Sequence, residues 1–193
     1  MPKTRLEAFS DGVLAIIITI MVLELRVPQG ESFDALRPLL PVFSSYVLSF
    51  AYIGIYWNNH HYMMHVAKHV GGGVLWANLH LLFWLSLLPF VTGWMGENNF
   101  APLPTALYGV VLLMAGAAYW ILARTIIAGD GTDSLLEKAI GKDFKGTVSV
   151  VLYGLVIPLS FLDQRIPQSV YILVALMWLV PDKRIESVLP SSQ

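Results

Sequence analysis

Six apolar runs, each close to the length that a helix needs to cross a bilayer, constrain this chain more than any other feature. They lie at about 4–26, 39–64, 74–95, 105–127, 146–162 and 168–185, separated by polar or Pro/Gly-bearing breaks. A spanning helix takes roughly 20 mostly apolar residues. The last two runs have shorter apolar centres and need their polar ends to reach across. Between them lies only Asp163-Gln164-Arg165-Ile166-Pro167, so the pair must form a tight antiparallel hairpin. With 56% hydrophobic and 13% charged residues, the chain is too apolar for an ordinary soluble domain. The expectation is an all-α membrane protein, a single domain over residues 1–193 with six transmembrane helices.

The same composition removes other classes. A net charge of −1 and the absence of any dense Lys/Arg run argue against nucleic acid as a partner. Without cysteine there are no disulfides, thiolate metal sites or thiol nucleophiles, although the redox compartment stays open. Lys3 and Arg5 ahead of an apolar run resemble a signal peptide. Asp11 interrupts that run, however, and Glu24-Leu25-Arg26 stands where a small-residue cleavage site belongs, so the first span is expected to be retained. If the N-terminus is inside, nine of the twelve Lys/Arg residues fall on inner segments, and only Arg26, Arg37 and Arg165 fall outside. The positive-inside rule then predicts a multi-pass protein of the cell membrane with both termini cytoplasmic. On the inner loop Gly129–Lys145, Ser134-Leu135-Leu136-Glu137 has the form of a capping box, which starts a short helix.

The first span has two special faces. At about 100° per residue, Arg5, Phe9, Gly12, Ile16, Thr19, Ile20 and Leu23 fall within a stripe roughly 100° wide. Asp11 points about 120° away from the middle of that stripe, alongside Thr4, Ala15 and Val22. An acid a few turns into a bilayer costs about 2.5–3.5 kcal/mol and needs protein or water around it. Asn58, Asn59, His60, His61, Asn78 and His80 are its candidate partners, and His61 is the one expected to pair with it.

The string Arg5-Leu6-Glu7-Ala8-Phe9-Ser10-Asp11 has the form R-x-x-x-F-S-D, followed by Gly12-Val13-Leu14-Ala15-Ile16-Ile17-Ile18-Thr19. With the Trp-Asn-Asn-His-His stretch of the second span, it resembles the bacterial branch of the transmembrane protein 175 family, whose animal members are lysosomal potassium channels. The resemblance implies a homotetramer in which four copies of the first helix line a central pore, closed by an apolar constriction in place of a carbonyl filter. By position in the motif, Ile16 would form the constriction, Ile20 and Leu23 further apolar layers, and Thr19 a hydroxyl ring between them. Arg5, Phe9, Ser10 and Asp11, with His61, would form the network that fixes the pore helix. Potassium ions would permeate in modest preference to sodium, with no cofactor.

The stripe counted on the first span agrees with that assignment. Stacked apolar rings gate by dewetting, and hydroxyls replace part of an ion's hydration shell. No TVGYG-like filter is present, and the glycine cluster Gly71-Gly72-Gly73 falls in an inner loop. Two rival readings compete. His61, His65 and His69 recur every four residues beside His60, a pattern that suits a metal or haem, but further ligands are scarce. A cation- or proton-coupled secondary transporter would favour inverted repeats and interrupted helices, of which only Pro89 and Pro158 give any sign. No nucleophile–base triad, P-loop or carboxylate pair points to an enzyme.

Overall fold

A computed structural model describes residues 2–131, 134–140 and 143–179. Among these residues the regular structure is helical: α1 Lys3–Leu23, α2 Leu40–Val66, α3 Gly72–Ser86, α4 Leu88–Glu97, α5 Pro102–Asp130, α6 Leu135–Ile140, α7 Phe144–Leu159 and α8 Arg165–Leu179. A 3₁₀ segment, Phe33–Leu39, leads into α2. Four stretches are long and apolar enough to cross a membrane: Lys3–Leu23, Phe33–Val66, Gly72–Glu97 and Pro102–Asp130. At 16 and 15 residues, α7 and α8 are shorter apolar helices. The end of the sixth apolar run, residues 180–185, lies outside the described residues.

Two expectations need correction. The third run is not one helix but two, α3 and α4, because Pro89 has no N–H to donate and the backbone turns at Leu87. Gly72 and Gly73 belong to the first turn of α3 rather than to a loop, and Gly71 caps it. The hairpin between α7 and α8 is as tight as its length requires. Arg165 N–H donates to Asp163 Oδ1 at 2.8 Å and Ile166 N–H to Asp163 O at 3.2 Å. The capping box is half formed. Glu137 N–H donates to Ser134 Oγ at 3.3 Å, whereas the Ser134 N–H turns back to Gly131 O.

The core follows from which faces are apolar and small. α5 packs against α3, α4, α7 and α8. Ala115, Ala118, Leu122 and Ile126 lie fully buried along it, so neighbouring helices approach closely, as they must in lipid, where packing rather than water expulsion drives association. Four tyrosines seal the centre. Tyr108 meets Tyr52 and Tyr171 edge-on at 6.5 and 5.2 Å, and Tyr153 sits 6.4 Å from Tyr52. Three of their hydroxyls find partners: Tyr52 donates to Tyr171 O at 2.7 Å, Tyr171 to Thr105 O at 2.9 Å, and Tyr108 lies 3.0 Å from Ser49 Oγ. Helix α1 packs on α2, α3 and α4 and contributes Leu6, Leu14, Ile17 and Met21 to the core.

The closest helix approach is at Gly96. A Cβ there would stand 2.7 Å from the Cα of Val42 and 2.5 Å from Ser45 Oγ, so α2 and α4 touch backbone to backbone. Gly96→Ala is expected to force the two helices apart at a cost of about 1–3 kcal/mol. Thermal unfolding of the detergent-purified protein measures this, and an unchanged midpoint refutes the contact.

Candidate functional site

Burial divides α1 differently from the two faces that its sequence suggests: the Asp11 side, with Thr4, Ala15 and Val22, is exposed, and a third face is the buried one. Leu6, Ser10, Leu14, Ile17 and Met21 recur at helical spacing and are buried against the rest of the protomer. The opposite side lies open on the protomer surface: Ile16 is 58%, Ile20 42% and Leu23 82% exposed. Thr19 is exposed on the same side, and its hydroxyl donates to Ile16 O at 2.8 Å. That bond uses the only proton of the hydroxyl, so the oxygen offers lone pairs outward, the polarity that a cation needs.

A directional polar relay fixes the inner face. Asn78 of α3 is fully buried between Ser10 of α1 and His60 of α2. Its Nδ2 donates to Ser10 Oγ at 2.9 Å, and its Oδ1 lies 2.7 Å from His60 Nε2. An amide oxygen only accepts, so His60 donates from Nε2. Ser10 in turn donates to Leu6 O at 2.9 Å. In the reverse amide orientation Ser10 would have to give up its bond to Leu6 O in order to donate to the amide. Three helices are therefore joined by a chain of bonds in which each donor and acceptor has one role.

Asp11 turns toward α2 instead. Its Oδ1 accepts from Trp57 Nε1 at 3.0 Å, so the partner is Trp57 and not His61. His61 stacks on that indole with ring centroids 6.3 Å apart, placing it one side chain away from the acid. The reason is register. His60 and His61 differ by about 100° around α2, and His60 is the one that turns inward. Asn58 is exposed, Asn59 donates back to Ile55 O at 2.8 Å, and His80 accepts from Trp84 Nε1 at 3.0 Å. Arg5 and Phe9 are exposed, and the Arg5 side chain makes no hydrogen bond or ion pair among the described residues.

Both ends of α1 are tied down as well. Lys3 Nζ donates to His65 O at 2.9 Å and Ala67 O at 3.4 Å, capping the C-terminal carbonyls of α2, where a cation also suits the helix dipole. Beyond the other end, Arg26 pairs with Glu97 at 2.8 Å. His65 and His69 are exposed, and the His65 ring lies 6.4 Å from that of His61. Among the described residues no group of three or more His, Cys, Asp or Glu converges as a metal site. Asn78→Ala leaves both Ser10 and His60 short of a partner. Interhelical bonds in membranes are worth about 0.6–1.7 kcal/mol each, so a loss of about 1–3 kcal/mol is expected in denaturant or thermal unfolding. Stability equal to that of the wild type would remove the relay from the account.

Comparison with known proteins gives this geometry a context. Residues 5–89 match the family described as endosomal/lysosomal potassium channel TMEM175. A potassium channel from Chryseobacterium sp. (strain P1-3) is 56% identical over 98% of both chains. The endosomal/lysosomal proton channel TMEM175 of Homo sapiens is 36% identical over 43% of this chain and 19% of its own length. A crystal structure of a lysosomal potassium-selective channel TMEM175 homologue from Chamaesiphon minutus superposes with a TM-score of 0.78 at 28% identity, over 92% of this chain and 96% of that one.

Proposed function

The chain belongs to the TMEM175 family, and on that footing we propose that it is the subunit of a potassium channel. The subunit has six spans and assembles as a homotetramer in the cell membrane with both termini cytoplasmic. Four copies of α1 surround the pore. Ile16 forms the constriction, Ile20 and Leu23 form further apolar rings, and Thr19 contributes a ring of oxygens between them. Potassium is the permeant ion and no cofactor takes part.

One observation carries the reading: the Ile16, Ile20 and Leu23 side of α1 is open on the surface of the protomer while Leu14, Ile17 and Met21 are buried. A single narrow stripe encloses no aqueous path, but cyclic repetition does. Asp11 supports it from the flank. The carboxylate is exposed within a stretch apolar enough to span, and contact with lipid there would cost about 2.5–3.5 kcal/mol, so a neighbouring subunit or pore water is the cheaper surrounding. The preference for potassium over protons rests on coverage. The potassium-channel relative matches this chain along its whole length, whereas the human proton channel matches over a fifth of its own.

In this arrangement the apolar rings exclude water when narrow and admit ions only when they widen or wet. The hydroxyl oxygens of Thr19 replace part of the hydration shell, which gives modest discrimination between potassium and sodium. Asp11, bonded to Trp57, orients the pore helix against α2 and does not line the path.

Ile16→Asn is expected to raise potassium flux into proteoliposomes and to lower the potassium-to-sodium ratio, because an amide wets the ring. Unaltered flux overturns the constriction. Removal of every second ion gradient should leave wild-type potassium flux running, and a collapse there would favour a coupled transporter. Asp11→Ala is expected to reduce the yield of assembled tetramer, read by size-exclusion chromatography with light scattering. A well-folded tetramer with altered ion preference would move Asp11 into the pore.

A further inference from the structure

A second site lies far from α1. Between α2, α5, α7 and α8 is a cavity of about 530 Å³, within the range of small-molecule pockets. Its character changes along its length. At mid-helix depth it is walled by Tyr52 and Ile55 of α2, Gly116 of α5, and Val150 and Tyr153 of α7. Toward the end where α5 finishes and α7 begins, the walls become Asn59, Tyr119, Trp120, Arg124, Asp143 and Trp178. Gly116, Ala117 and Gly146 supply the room.

The polar end is built for an anion. The Arg124 guanidinium stands 5.5 Å over the Trp120 ring, is exposed, and has no ion pair or hydrogen bond among the described residues. Lys145 lies 5.9 Å over the Trp178 ring and adds a second cation nearby. The acid at this end is partly occupied: Asp143 Oδ1 accepts from Gly146 N–H at 2.9 Å as the cap of α7. Ser149 is also committed, accepting from Trp178 Nε1 at 2.9 Å and donating to Lys145 O at 2.8 Å. By contrast, the hydroxyls of Tyr56 and Tyr119 line the space and have no partner among the described residues. Two phenol donors, an unpaired guanidinium and an apolar slot leading to mid-depth describe the complement of an amphiphile with a negative head.

We propose that this cavity holds an anionic phospholipid, its phosphate at Arg124 with Tyr56 and Tyr119, and one acyl chain reaching to Tyr52 and Tyr153. The source is the cytoplasmic leaflet, since basic pockets between helices on that side capture acidic headgroups, and a soluble phosphate would leave the aromatic slot unfilled. The site is separate from the α1 face and does not depend on the pore assignment, because it is read by binding and not by flux.

The test uses purified full-length protein in an uncharged detergent, titrated with dioctanoyl phosphatidylglycerol, dioctanoyl phosphatidylcholine or glycerol 3-phosphate while Tm is followed. One charge-assisted contact is worth about tenfold, so phosphatidylglycerol is expected to half-saturate at about a tenth of the phosphatidylcholine concentration, with glycerol 3-phosphate giving no shift. Arg124→Gln should bring the two lipids level. Gly116→Leu should abolish the shift with both lipids: a Cβ at Gly116 meets only Val150 Cγ2 at 3.7 Å and Tyr56 OH at 3.8 Å, so the variant is accommodated and the rest of its side chain fills the slot. Equal response to the two lipids in the wild type, an unchanged ratio in Arg124→Gln, or a glycerol 3-phosphate shift matching that of phosphatidylglycerol would each overturn the site.

Discussion

Every feature of α1 depends on one buried amide. Within a bilayer no water stands ready to satisfy a displaced polar group, so Asn78 holds its position because Ser10 and His60 need it as much as it needs them. Helix α1 is thereby fixed in rotation as well as in position, and a helix fixed in rotation presents one chosen face to the exterior.

The other contacts divide the work. Lys3 on the terminal carbonyls of α2 and Arg26 on Glu97 hold the ends, where water screens them and each is worth little alone. Trp57 holds Asp11 at the flank. Together they leave the Ile16, Ile20 and Leu23 side of α1 exposed on the protomer. The tyrosine cluster of α2, α5, α7 and α8 then forms the fixed frame against which α1, α3 and α4 lean. The division matches the proposed lipid cavity, which opens on the frame and not on α1.

Much of this architecture is legible in the sequence, and the illegible part has a physical pattern. Span positions can be read because the solvent dictates length, and the stripe from Arg5 to Leu23 can be read because 100° per residue is a fixed rule; which side is buried cannot, since the Asp11 side is exposed as well. The choice of His60 over His61 cannot be read in that way, since it depends on how α2 is rotated relative to α1, a tertiary quantity. The pairing of Asp11 with Trp57 is missed when only amides and imidazoles are counted as partners, although an indole N–H is a donor with no other role. Pro89 announces a weak point in the third run, but one proline near the end of a run does not say that the helix will restart as α4. The tyrosine cluster joins residues more than a hundred positions apart, and no local signal foretells it.

The interruption at Leu87 makes the bed of α1 a jointed one. Its first half is gripped by α3 through Asn78, and the far end is linked to α4 through Arg26 and Glu97. Across the joint the backbone lacks the donor that Pro89 cannot supply, so bending stiffness is lowest there. The two ends of α1 therefore rest on different helices, the Ser10 end on α3 and the end beyond Leu23 on α4.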